Sequence, residues 1–145
     1  MFFNRFSVPL NLMLLLLVSS FSIAQGGKVS EDLSLYSSIL KQDRNYAVYL
    51  PPDYETSQRS YPVLYLLHGY TDNHTGWVQF GEVQHIADKA IREGKSTSMI
   101  IIMPDANTGR RGYFNTIGGD FQYEDFFFKE LIPFVEKTYR IRAEK

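Results

Sequence analysis

Residues 61–77, YPVLYLLHGYTDNHTGW, carry an apolar run straight into His-Gly-Tyr and a short polar loop. This junction limits the fold more than any other stretch. Positions 63–67 are apolar without alternation, the pattern of a strand covered on both faces in a largely parallel sheet. A second such run, SMIIIM at 98–103, ends at Pro104. Between the two, Val83, Ile86, Ala87, Ala90 and Ile91 fall at i, i+3, i+4, i+7 and i+8. That spacing makes one apolar stripe and predicts a helix over 82–93, with Gly94 as its stop.

The flanking segments complete a layered pattern. Positions 29–40 and 45–50 read as two strands. In the second, Tyr46, Val48 and Leu50 alternate with Ala47 and Tyr49. Lys41-Gln42-Asp43-Arg44 suits the turn between them, and the simplest pairing is antiparallel. Pro51-Pro52 ends the second strand, because neither proline can donate to a ladder. A long loop with Gly109, Gly112, Gly118 and Gly119 follows Met103. Asp120 is placed to cap a helix running to about Tyr139, with Phe127, Leu131, Phe134 and Val135 as its apolar face. Pro133 inside it forfeits the bond to the Lys129 carbonyl, so a kink is expected there. The order predicts an α/β fold, a mixed and mostly parallel sheet with flanking helices.

Residues 1–24 read as a secretory leader. Arg5 supplies the positive start, 10–18 is a short apolar run broken by Asn11, and Ser22-Ile23-Ala24 offers small residues before Gln25. The run is too short to span a bilayer. Cleavage there leaves one domain, 25–145, in a secreted or periplasmic protein with no membrane attachment. Fifteen basic and 16 acidic residues are dispersed, which argues against nucleic acid as a partner. With no cysteine the domain holds by packing alone.

Gly69 and Tyr70 are the main candidates for chemistry. Acyl transfer needs backbone N–H groups aimed at a developing oxyanion, and a His-Gly-x turn at a strand end is one way to supply them. The plain alternative is an ordinary strand-to-loop turn. Trp77 either lines a substrate pocket or packs under the loop. His68 is expected to pack and hydrogen-bond behind the turn. The spacing of His68, His74 and His85 matches no compact zinc pattern, so neither a metal nor a cofactor is expected. Gly94-Lys95-Ser96-Thr97 imitates a phosphate loop but follows a helix and lacks the earlier glycine. Asn73-His74-Thr75 is a formal glycosylation sequence read as chance. Asp105, Arg110, Arg111 and Tyr113 in the long loop are further positions that could touch substrate.

RNYAVYLPPDYE, YPVLYLLHGYTDNHTGW, SMIIIMPDAN and YEDFFFKELIPFVEKTYRI, in this order and spacing, resemble the N-terminal half of the putative-esterase family of α/β-hydrolases. That family includes esterase D-type, feruloyl and acetylxylan esterases. The resemblance implies a serine hydrolase whose G-x-S-x-G nucleophile follows the next strand. No such pattern occurs in the 145 residues. The expectation is therefore a fragment truncated before the nucleophile, inactive alone. Only the oxyanion contribution transfers, onto Gly69 and Tyr70, with the Tyr70 N–H as donor. The implied substrate is an acyl ester, including acetyl or feruloyl groups on polysaccharides. The alternative is an exported, non-catalytic carbohydrate-binding or interaction module derived from a hydrolase, with the aromatics as stacking platforms.

Overall fold

The computed structural model describes residues 26–106 and 112–143. The expected leader at 1–24 and the loop residues Arg110 and Arg111 lie outside the described residues. Four strands form one sheet: β1 (Lys28–Ser37), β2 (Gln42–Leu50), β3 (Val63–Tyr65) and β4 (Ile100–Pro104), in the order β1-β2-β4-β3. β1 pairs with β2, and β2 with β4, antiparallel; β3 pairs with β4 parallel, so the described sheet is mixed as expected but not mostly parallel, because the β1–β2 hairpin lies along β4. A parallel bridge, Tyr61 to Ile141, lies just before the start of β3. It is made by Tyr61 N–H to the Arg140 carbonyl and Arg142 N–H to the Tyr61 carbonyl, both 2.8 Å.

The hairpin turn falls at 38–41, earlier than its polarity suggested, and β2 starts at Gln42. Arg44 is thus a strand residue rather than a turn residue. Glu130 explains the shift. Its carboxylate accepts from Ser37 Oγ and Ser38 Oγ, each at 2.5 Å, and from the Ser38 amide at 3.0 Å. Lys41 then closes the turn with φ +56°.

Alternation along β4 splits the core. Ile100 and Ile102 face one layer with Tyr46, Val48, Tyr123 and Phe126. Ile101 and Met103 face the other, with Ala47, Tyr49 and Val83. α1 (Gly76–Gln79) and α2 (Val83–Arg92) follow β3, and α2 covers the second layer. β3 departs from the expected strand at 63–67. Leu66 N–H still reaches the Ile102 carbonyl at 2.8 Å, but the chain then leaves the sheet. Leu64 is 42% exposed, so the strand is not covered on both faces. It is the outermost strand described, and α2 does not close over it.

The last helical region is divided. α3 (Tyr123–Phe126) runs into a π-helical turn (Phe127–Leu131) and then α4 (Ile132–Thr138). Ile132 N–H reaches back five residues to the Phe127 carbonyl. The wider turn leaves Pro133 in the first turn of α4, where its missing N–H costs least. The expected Asp120 cap is not formed. Gln122 occupies the N-cap position without a side-chain cap bond, and Asp120 Oδ1 accepts from Thr116 Oγ1 at 2.5 Å. That bond tightens a turn closed by the Asn115–Gln122 bridge, and the polar side chain is spent there.

Candidate active site

The support for the turn after β3 begins at the end of β4. Asp105 N–H bonds the Asn45 carbonyl at 2.9 Å, prolonging the β2–β4 pairing. The Asp105 carbonyl accepts from Arg44 Nη2 at 2.5 Å and Tyr123 Oη at 3.1 Å. Arg44 is buried and lies 3.5 Å from the Asp105 carboxylate, with its guanidinium over the Tyr123 ring. Position 106 follows directly, and its amide meets the histidine of the turn.

His68 is 8% exposed. Ala106 N–H donates to its Nε2 at 2.9 Å. Its Nδ1 lies 2.8 Å from the Gly69 carbonyl oxygen, which can only accept. The ring therefore carries its proton on Nδ1. Asp105 Oδ1 also approaches Nε2, at 3.5 Å. That approach is not a charged pair, because the Nε2 lone pair is engaged by the Ala106 amide. The expectation that His68 packs and bonds behind the turn agrees with this arrangement.

Tyr113 grips the same residue by its backbone. His68 N–H donates to Tyr113 Oη at 2.8 Å, and that hydroxyl donates to the His68 carbonyl at 3.1 Å. Burial pushes the Tyr113 phenol up to about 12, so its proton stays available for this second bond. Tyr113 is packed edge-on against Tyr123, which links it to the helical layer.

Beyond His68 the chain is open. Gly69 is exposed, and an added Cβ would meet nothing within 4 Å. The left-handed backbone that a sharp turn needs falls instead on Thr71, with φ +73°. Tyr70 is 82% exposed, and among the described residues its amide donates to no acceptor. The Gly69 carbonyl also accepts from Asp72 N–H at 3.2 Å. Asn73 Oδ1 accepts from the Thr75 amide and hydroxyl, each at 2.8 Å, leading into α1.

Trp77 is anchored beneath the strand end and borders a cavity. Its indole N–H donates to the Leu67 carbonyl at 3.0 Å, tying α1 to the strand end. Its ring also lines an apolar cavity of about 260 Å³ with Leu64, Leu66, Ile86 and Ile91. Gly69 and Tyr70 are not among the residues lining that cavity. Among the described residues no group of three His, Cys, Asp or Glu is placed to hold a metal, and no helix is long and apolar enough to cross a membrane.

Two of these residues escaped sequence reasoning. Arg44 looked like part of a polar turn, although it stands two positions before Tyr46 and so shares its inward face. Tyr123 carried no signal beyond being aromatic in a helix start. In sequence Asp105 and Tyr113 stand out as loop residues that could touch substrate; in the structure both support the turn.

The model of the putative-esterase family matches residues 37–145, so the chain belongs to that family. It is 35% identical over 107 residues to an endo-1,4-beta-xylanase/feruloyl esterase of Xylanibacter ruminicola, covering 68% of this chain and 14% of that protein. A solved ferulic acid esterase is similar with a TM-score of 0.76 and 37% identity, over 83% of this chain and 46% of the other. A ferulic acid esterase from Anaeromyces mucronatus, at 23% identity and a TM-score of 0.67, shares the fold, over 84% of this chain and 47% of its own. The fold is that of the α/β-hydrolases, in part. The chain spans about half of the similar solved chains and a fifth or less of the curated relatives.

Proposed function

We propose that this member of the putative-esterase family is the front part of a serine-type carboxylic-ester hydrolase, with the Tyr70 N–H as one oxyanion donor and Gly69 leaving room for the acyl group. The observation that carries this reading is the amide itself. It stands in the exposed turn that follows β3, outside any ladder and bonded to no described residue. A donor fixed in this way meets developing negative charge without reorganising.

The Tyr61–Ile141 bridge adds a geometric reason. A strand continuing from Ile141 in that parallel register comes level with Gly69 about eight residues further on, the offset from Tyr61. A nucleophile delivered there stands beside the proposed donor. Its serine oxygen bonds the acyl carbon and passes its proton through a base to the departing alcohol. Water then attacks the acyl-serine, the serine recovers its proton, and the acid leaves. In this reading the chain corresponds to a partial domain, 25–145, behind an export leader at 1–24. The substrates are acyl esters such as acetyl or feruloyl groups on polysaccharides, and the names of the relatives support the feruloyl ester.

The test is to express the gene with any in-frame sequence following Lys145 and assay p-nitrophenyl acetate and methyl ferulate. Hydrolysis by the extended protein, and none by residues 25–145 alone, is the expected result. Hydrolysis by the 145-residue chain would overturn the fragment reading. A second reading rests on the exposed aromatic side chains of Tyr70, Phe80 and Phe114. An exported, non-catalytic carbohydrate-binding module would retain xylan on a column and hydrolyse nothing even when extended.

A further inference from the structure

The peptide linking Gly69 to Tyr70 presents its two polar groups in opposite directions. Among the described residues every peptide bond is trans, so the Gly69 carbonyl and the Tyr70 N–H point opposite ways across one rigid plane. Whatever fixes one fixes the other. The carbonyl is held by two donors, His68 Nδ1–H at 2.8 Å and Asp72 N–H at 3.2 Å. The Tyr70 N–H is thereby directed away from them, where no described residue accepts it.

The imidazole can hold that carbonyl only as the Nδ1–H tautomer. An Nε2–H tautomer would turn a lone pair towards the Gly69 oxygen and a proton towards the Ala106 N–H. Two repulsions would replace two bonds. The Ala106 amide, 2.9 Å from Nε2, therefore selects the tautomer. That amide is itself fixed through Asp105, whose N–H and carbonyl are bonded to β2 and to Tyr123. A chain of bonds thus runs from the centre of the sheet to the exposed amide.

We propose that His68 is a positioning residue: locked as its Nδ1–H tautomer by the Ala106 amide, it holds the Gly69 carbonyl inward and so presents the Tyr70 N–H to an acyl oxygen. This rests on the reading of Tyr70 as an oxyanion donor. The histidine touches no substrate and takes no proton in the reaction. Its contribution is the orientation of a neighbouring peptide plane.

Two measurements test the proposal. The chain has three histidines, so a full-length His74→Gln/His85→Gln chain keeps His68 as its one imidazole. Ring ¹⁵N shifts should show the proton on Nδ1 and a lone pair on Nε2. A proton on Nε2, on both nitrogens, or averaged between them overturns the proposal without any enzyme assay. The second measurement uses the extended, active enzyme. His68→Leu should lower kcat by about 10²-fold with KM little changed, approaching the loss of an oxyanion donor. His68→Asn, whose side-chain amide can reach the Nδ1 position, should recover about tenfold of that loss, a rescue that mere folding support would not show. Equal impairment of the two variants, or a loss confined to KM, sinks the positioning role. The Tyr70 amide resonance in a phosphonate adduct separates the premises. If it does not move on adduct formation, the oxyanion reading fails while the tautomer result stands.

Discussion

Under α3 and α4 the sheet buries Tyr46, Val48, Ile100 and Ile102 against Tyr123, Phe126, Leu131 and Val135. Under α2 it buries Ala47, Tyr49, Ile101 and Met103 against Val83, with Ala87 and Ile91 only partly covered. The first face is filled by rings in edge-on contact, such as Tyr123 with Phe126 at 5.2 Å. The second keeps an apolar cavity of about 260 Å³ along β3, and Ile86 beside it is 59% exposed. The aromatic face is also the one bonded to the turn, through Tyr123, Asp105 and Tyr113. Rigidity is therefore concentrated on the side that supports Gly69 and Tyr70.

The difference can be broken by mutation. Phe126→Ala removes a ring that is 1% exposed and should cost about 3–5 kcal/mol in urea unfolding. A cost near that of an exposed residue would mean the aromatic face is loosely packed. Tyr123→Phe keeps the ring but loses the bond to the Asp105 carbonyl, for about 1 kcal/mol by the same measurement.

Glu130 gives a smaller, pH-dependent effect on the aromatic side. Burial alone would raise its carboxyl, but the bonds from Ser37, Ser38 and the Ile39 amide outweigh burial and hold it below the usual glutamate range. A carboxyl lowered by folding adds stability above its unfolded value and loses it as pH falls through the folded value. Thermal melts should therefore fall more steeply on acidification in the wild type than in Glu130→Gln. The two curves should converge below that range; parallel curves would remove Glu130 from the account. Least affected should be Ile86→Ala on the open face, within about 0.5 kcal/mol of wild type. A loss matching Phe126→Ala would show that α2 is as tightly packed as the other layer.

Much of this architecture was legible because burial writes itself into periodicity. The run at 98–103 holds the buried β4, which starts two residues later and takes in Pro104, and the stripe at 82–93 is α2 with one residue trimmed from each end. β3 was overestimated because five apolar residues in sequence do not reveal whether anything covers them. The hairpin turn moved because Glu130, more than 90 positions away, decides where residues 37–39 bend. Asp120 misled because a short polar side chain before a helix can serve a cap or a local turn, and Thr116 claimed it. The candidate turn was visible as His-Gly-Tyr. Its supports were not, since Arg44, Asp105 and Tyr113 are joined only by tertiary contact.

The carboxylate of Glu130 reaches across 93 residues to Ser37. On a ribosome adding about 5–20 residues per second, roughly 5–20 seconds separate the synthesis of these two partners. During that interval the nascent β1–β2 hairpin has neither its clamp nor the aromatic layer that dries its inner face. A chaperone that holds emerging chains would find an opportunity there, before α3 and α4 cover that face of the sheet.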